Sequence, residues 1–202
     1  HERVRQYYTL RLDQGDLRRV LIRFTAPADI AGTGFLVLED TATDETEQHL
    51  YLPALKRTRR IVASQQGRSF VNSDFTYEDM QRQPLDDWTY QLEENEQILG
   101  RNCYKLISFP KKSTDSQYSR IVSWIDQEYQ VALQSHFYDD QERHSKSYRV
   151  EALQLIDGIA TETETVMEDH QDQHSTRLSI SEVRYNTGID ERNLTTRALA
   201  DW

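Results

Sequence analysis

The chain has 202 residues, 37% hydrophobic and 29% charged, with 11 Tyr, 6 Phe, 3 Trp and a formal net charge of -10. This is apolar material for one domain or two small ones, and more than a disordered chain carries; the acidity excludes a general nucleic-acid binder, which needs a broad basic surface. No apolar run approaches the roughly 18 residues of a membrane-spanning helix, and Cys103, the only cysteine, leaves no intrachain disulfide.

Period-2 alternation dominates, the pattern of strands with two unlike faces. It predicts a dozen strands, near 4–12, 17–25, 34–39, 48–53, 58–63, 87–97, 101–109, 119–126, 131–138, 145–155, 159–168 and 174–186. Turn signals fall between them: DQGD at Asp13–Asp16, DDQE at Asp139–Glu142, IDG at Ile156–Gly158 and EDHQDQ at Glu168–Gln173. Helical signals are few: a turn at Pro27–Ile30, a helix over Ser73–Gln81 capped by Ser73 or Asp74, and a last turn near Asp190–Asn193. Sequential hairpins make an antiparallel meander, and a sheet this large curls under its own twist. The expected class is mainly β with few helices, one strongly curved antiparallel sheet in a single domain over 1–202. So few helices leave its concave face short of cover, so either a helix outside this sequence covers it or it stays partly open as a ligand cleft.

Alternation nominates the wall of that cleft. Val20, Ile22, Phe24, Leu36, Leu38, Leu50, Leu52, Ile121 and Ile125 are read as sharing the concave face, the alternative being an ordinary closed core. Phe70, Phe75 and Tyr77 either line the cleft or pin their loop to the sheet. Thr161, Thr163 and Thr165 alternate with acids, and one of the two sets must look inward.

Charge is unevenly spread. Residues 1–70 carry 11 Lys/Arg against 9 Asp/Glu, and residues 71–202 carry 13 against 25. Lys56, Arg57, Arg59 and Arg60 crowd one hairpin, shortly before the acidic and aromatic stretch from Asp74 to Asp79. The basic hairpin reads as a docking rim for an acidic partner or anionic headgroups. Pairing of Arg59 and Arg60 with Asp74, Glu78 or Asp79 is the internal alternative, and both can hold.

Signals for chemistry are thin. No nucleophile elbow, P-loop or dinucleotide fingerprint occurs, so no catalytic residue and no cofactor is assigned. His170 and His174 have the spacing of a helical zinc pair, yet lie in a predicted turn, and four residues along a strand would part them by about 13 Å; no metal is expected. His136 and His144 flank the DDQE turn, where a hairpin could set them face to face, and are read as surface residues. Cys103 shares a strand face with Ile107 and Phe109 and reads as a buried, inert thiol. Carboxylate pairs are plentiful in so acidic a chain; Asp74 with Asp79 is one with the makings of a glycosidase pair, which geometry alone decides.

The ordered blocks FTAPADIAGTGFLVLED, YLPALKRTRRI, GRSFVNSDFTYEDM, GRNCYKL, YSRIVSWID, IDGIA and HSTRLSISEVRYN resemble the outer-membrane lipoprotein-sorting protein family, relatives of the periplasmic carrier LolA, over nearly the whole chain. The resemblance implies a LolA/LolB-like half-barrel in the periplasm of a Gram-negative bacterium. It implies a non-enzymatic carrier or receptor whose apolar cleft holds lipid or lipoprotein acyl chains for outer-membrane traffic. It further implies an RND/MMPL-type membrane transporter or an outer-membrane acceptor as partner. The alternative within the same fold is a protein-binding sensor or adaptor without lipid cargo. The resemblance places a helix before the first strand; the chain begins instead at His1, so that helix and a signal segment are expected to have been removed.

Overall fold

The structure, a computed structural model, describes residues 2–112 and 114–201. The chain is mainly β and its strand pairings are antiparallel. It forms two compact units, one from residues up to Gln66, Met80–Arg82 and residues from Asn186 on, the other from Gly67–Asp79 and Gln83–Tyr185.

The first unit holds a five-stranded meander in the order β1 (Gln6–Gln14), β2 (Leu17–Ala26), β3 (Gly34–Asp40), β4 (Glu45–Leu52), β5 (Arg57–Ile61). The DQGD signal is its first turn: Gln14 pairs with Leu17, and Gly15 sits at φ +58, where a side chain is disfavoured. Register puts Leu10, Leu12, Leu21, Leu36, Leu38 and Tyr51 on one face, and Val20, Ile22, Phe24, Phe35, Val37, Leu50 and Ile61 on the other.

The C-terminal segment packs on the first of these faces. A 3-10 turn at Glu191–Asn193, where one was predicted, delivers Leu194, and the short helix α1 (Thr196–Ala200) delivers Leu199; both are fully buried against Leu21 and Leu36. Burial of each such leucine contributes about 1.5–3 kcal/mol. Thr195 caps α1 by accepting the Ala198 amide at 3.1 Å, and Arg23 donates to the Ala198 carbonyl at 3.2 Å and the Gly32 carbonyl at 3.0 Å. Gly34 is what admits the helix: a Cβ there would lie 2.6 Å from Leu199 Cδ1.

The second unit holds an eight-stranded sheet. Its strands are β6 (Trp88–Leu92), β7 (Glu96–Ile98), β8 (Arg101–Pro110), β9 (Arg120–Asp126), β10 (Ala132–Tyr138), β11 (His144–Ile156), β12 (Ile159–Asp169) and β13 (His174–Ser179). Its order is β13-β12-β11-β10-β9-β8-β6, with β7 also on β8. The single strand predicted over 87–97 is thus two, broken at Glu93–Asn95, and both pair with successive halves of β8. β13 ends at Ser179, short of the predicted 186. The IDG turn is a two-residue loop with Asp157 and Gly158 both left-handed, as a tight hairpin requires.

Cys103, Val122, Trp124, Leu133 and Val150 form the main core of this unit. Cys103 is fully buried and its thiol is pushed up by desolvation, in keeping with an inert residue. The β9–β10 turn is tied by Asp126, whose carboxylate accepts Arg101 Nε at 2.5 Å and the amides of Glu128 and Tyr129. Of the two sets on β12 the threonines are buried: Thr161 meets the Tyr185 hydroxyl at 2.8 Å.

Candidate functional site

The apolar wall expected from alternation is not a single surface. Val20, Ile22, Phe24, Leu50 and Leu52 share one face of the first unit's sheet, whereas register turns Leu36 and Leu38 to the opposite face, under Leu194 and Leu199. Alternation within a strand gives two sets but not which set matches the neighbour's; Leu36 lies opposite Leu21, not Ile22. Ile22, Phe24 and Leu50 are buried by the chain itself, at 6%, 5% and 4% exposure.

Ile121 and Ile125 belong to the second unit. Cross-strand pairs place Trp88, Tyr90, Leu92, Tyr104, Leu106, Ile121 and Ile125 on one face of β6, β8 and β9. Its two ends differ. Trp88 and Ile121 are buried with Tyr118 and Phe137. Toward the other end Leu92 is 64% exposed and Tyr90 and Tyr104 are exposed, with Leu106 and Ile125 half-buried beside them. This is an apolar strip partly open to solvent.

The acidic, aromatic stretch closes over the buried end. Ser69 bridges to Thr76, Phe70 donates its amide to the Phe75 carbonyl at 2.7 Å, and Phe70 meets Tyr77 edge-on at 5.8 Å. Phe70, Phe75 and Tyr77 are all buried. The helix expected over Ser73–Gln81 is only a 3-10 turn, Glu78–Met80. Its start is Thr76: Thr76 Oγ1 accepts the Asp79 amide at 3.3 Å and Asp79 Oδ2 accepts the Thr76 amide at 2.7 Å, a reciprocal cap that leaves Ser73–Phe75 outside.

Asp74 and Glu78 are buried, the Asp79 side chain is 6% exposed, and each acid is met within its own unit. Asp74 accepts from Thr176 Oγ1 at 2.6 Å and lies 2.8 Å from His174 Nδ1. Glu78 accepts from Ser116 Oγ at 2.5 Å and the Gln117 amide at 3.1 Å. Asp79 accepts the Tyr118 hydroxyl at 2.8 Å and faces Lys146 Nζ at 4.0 Å. Lys146, itself buried, donates to the Asp74 carbonyl at 2.8 Å. Desolvation pushes the carboxyls of Glu78 and Asp79 above the usual range, with Lys146 the main opposing influence on Asp79. Tyr118 is driven well up by its own burial and then by Asp79. Arg60 finds its partner on the neighbouring strand instead, Glu47 at 3.2 Å.

A pocket of about 700 Å³ opens beside this network, lined by Asp74, Thr76, Tyr118, Lys146 and His174 and by the β10–β11 and β12–β13 turns. Asp74 lines it and Asp79 does not, so the suspected Asp74–Asp79 pair does not present itself to one substrate there. Among the described residues no three His, Cys, Asp or Glu side chains are placed to hold a metal ion. His174 turns to Asp74 and His170 to Ser147.

The basic hairpin is exposed. A 3-10 turn, Pro53–Leu55, ends on Lys56 in the left-handed region, and Arg57, Arg59 and Arg60 lie exposed on β5, at one edge of the first unit's sheet.

The chain is similar over 96% of its length to a DUF1329 family protein from Desulfovibrio piger, at 32% identity and TM-score 0.90, covering 83% of that chain. A domain from Vibrio parahaemolyticus named for outer membrane lipoprotein sorting is similar at 29% identity and TM-score 0.89, over 97% of this chain and 83% of that one. The family model that matches, over residues 16–201, is described as an uncharacterized protein. The chain belongs to the DUF1329 family. A LolA superfamily protein from Nitrosomonas europaea, at 20% identity and TM-score 0.63 over 94% of this chain and 87% of that one, shows the LolA-like fold class, with open antiparallel sheets. Among curated proteins no sequence matches significantly.

The blocks that carry the family resemblance have local structural work. Arg101 of GRNCYKL and Asp126 of YSRIVSWID are the pair that ties the β9–β10 turn. SDFTYED is the cap over the buried end of the second unit's sheet, and His174 and Thr176 of HSTRLSISEVRYN are the partners of Asp74. Sequence reasoning missed Lys146, Tyr118, Thr176 and the open strip at Leu92 and Tyr104. For the strip a signal existed, the alternation of Tyr90 with Leu92 and of Tyr104 with Leu106; for the Asp74 partners, 100 and 102 residues away, none did.

Proposed function

We propose that this DUF1329 family protein is a non-enzymatic periplasmic carrier or receptor for lipid or lipoprotein acyl chains in outer-membrane traffic. Cargo passes to or from an RND/MMPL-type transporter or an acceptor protein. The single observation that carries the reading is the open strip of Tyr90, Leu92, Tyr104, Leu106 and Ile125 on one face of three adjacent strands. An acyl chain laid there is removed from water at about 0.8 kcal/mol per buried methylene. The Vibrio relative's naming for lipoprotein sorting supports the same assignment. The face bearing Val20, Ile22, Phe24, Leu50 and Leu52 serves a guest only if those side chains exchange their present contacts for it, and Lys56, Arg57, Arg59 and Arg60 supply the docking rim.

The test is titration of the protein with a fluorescent fatty-acyl probe, alone and with Leu92→Asp plus Tyr104→Asp. Saturable binding by the native chain, weakened at least about tenfold in the variant at unchanged thermal stability, is expected. Absence of binding by the native chain, or equal binding by the variant, overturns the reading. A protein-binding adaptor without lipid cargo is the second reading, favoured by the burial of Ile22, Phe24 and Leu50 within the chain. Native mass spectrometry of protein from its host separates the two, since only a carrier brings a lipid mass with it.

A further inference from the structure

Three histidines stand in file at one end of the second unit. His136 lies on β10, His144 opens β11, and His170 opens the turn between β12 and β13. The His136 and His144 ring centroids are 4.4 Å apart and those of His144 and His170 4.5 Å. Trp124 closes the file against His136 at 4.8 Å, and Tyr138 stacks on His144 at 5.3 Å. Ser147 Oγ lies 2.9 Å from His144 Nε2 and 2.8 Å from His170 Nε2. One hydroxyl has one proton to give, so it donates to one ring and accepts an N–H from the other, which two neutral imidazoles satisfy completely. Two imidazolium rings would both donate, leaving the hydroxyl proton without a ring acceptor and two like charges in contact.

The charges around the file offer no relief. Lys105, beside Trp124, pairs with Glu96 at 2.7 Å; Arg120 lies over the Tyr138 ring and pairs with Glu142 at 3.6 Å. Glu168, opposite Ser147, is held by Arg149 at 2.6 Å, and Asp139 by Arg143 at 2.7 Å. Asp169 accepts the Gln171 and Asp172 amides, and Asp140 and Asp172 are exposed at the turns. Burial first, and then the neighbouring histidines, push His136 and His144 below the ordinary histidine value.

The file sits at the roots of two turns. Asp139–Arg143 leads directly into His144, and the second turn starts at His170. Gln171 of the second turn donates to Asp139 of the first at 2.9 Å, and both turns line the pocket beside Asp74 and Lys146.

We propose that the His136–His144–His170 file is a pH-sensitive latch: neutral rings hold the two turns together, and protonation drives them apart and widens the pocket they border. Because folded His136 and His144 bind protons less readily than free histidine, the closed form is fully favoured above about pH 6.5 and loses ground as pH falls below it. His174, at the far end of the second turn, faces Asp74 at 2.8 Å and not the file.

Amide hydrogen exchange at about pH 7.5 and about pH 5, corrected for intrinsic rates, tests the latch. Protection across residues 139–143 and 170–173 should fall about tenfold on acidification in the native chain. It should change less than about twofold in His170→Gln, whose amide still bonds Ser147. Thermal unfolding confirms that the variant is folded, and His144→Gln, which replaces the other ring on the Ser147 hydroxyl, provides a second variant of the same kind. Protection that persists at acid pH in the native chain, or an acid loss that survives in these variants, overturns the proposal.

Discussion

Replacing Lys146 by Met tests the buried network under the SDFTYED cap most directly. Met keeps the aliphatic length and removes only the ammonium, so packing changes little. Two interactions go: the 2.8 Å donation to the Asp74 carbonyl, and the 4.0 Å attraction to Asp79, in a site where both side chains are at most one-tenth exposed. At an effective dielectric near 20, charges about 4 Å apart interact by about 4 kcal/mol, and breaking a buried pair costs about 3–5 kcal/mol because the survivor stays desolvated. A destabilisation of about 3 kcal/mol at pH 7 is expected, a fall of about 6–12 °C in Tm for a chain of this size. The pH dependence has a definite sign. Burial already holds the Asp79 carboxyl above its ordinary 3.8, and loss of Lys146, the chief influence lowering it, raises it further. A raised folded value gives stability that is full below 3.8 and lost as pH rises through that folded value. The deficit of Lys146→Met relative to the native chain should therefore shrink between pH 7 and about pH 5, with the histidine effects cancelling in the difference. Adding Asp79→Asn should recover part of the loss, since no charge then remains buried. Urea unfolding at the two pH values measures all three quantities. A deficit under about 1 kcal/mol at pH 7, or one that grows on acidification, would refute the reasoning.

Gly34→Ala puts a methyl 2.6 Å from Leu199 Cδ1 and 2.9 Å from Arg23 Nη1, so the packed ends of both side chains must give way; the expected cost is about 1–3 kcal/mol by urea unfolding, and Leu199→Ala should make the double variant cost less than the sum. Arg57→Glu with Arg59→Glu should leave thermal stability within about 0.5 kcal/mol of native, both residues being exposed. The same pair should weaken binding to anionic vesicles roughly 30-fold, at about 1 kcal/mol for each basic residue near the surface; unchanged binding would remove these residues from the docking rim.

The strands were legible in the sequence because alternation and turn chemistry are local. β2, β3 and β8 lie within a residue of their predicted bounds, and DQGD, DDQE, IDG and EDHQDQ all lie in turns between paired strands. What alternation omits is register. It grouped Leu36 and Leu38 with Ile22 because each strand has two sets and nothing local says which matches its neighbour's. The helix over Ser73–Gln81 failed for a related reason: Ser73 and Asp74 are good caps in isolation, but the Asp74 carboxylate is claimed by His174 and Thr176, and the reciprocal cap falls on Thr76 and Asp79. α1 spans five residues, too few for a helical period to declare itself. Of the candidate site, the acids and aromatics of SDFTYED were visible as a block, while Lys146 comes from a strand and Tyr118 from the loop before β9, and neither local pattern marks them out.

The basic run on β5 has a bearing on how copies of this protein behave beside one another. β5 is an outer strand, and an outer strand invites pairing with its like on a second molecule. Two such strands brought side by side would set Lys56, Arg57, Arg59 and Arg60 against the same four residues, so crowding alone does not zip the sheets into fibres. That protection is only as long-ranged as the ionic atmosphere permits, shrinking from about 10 Å in 0.1 M salt to about 3 Å in 1 M.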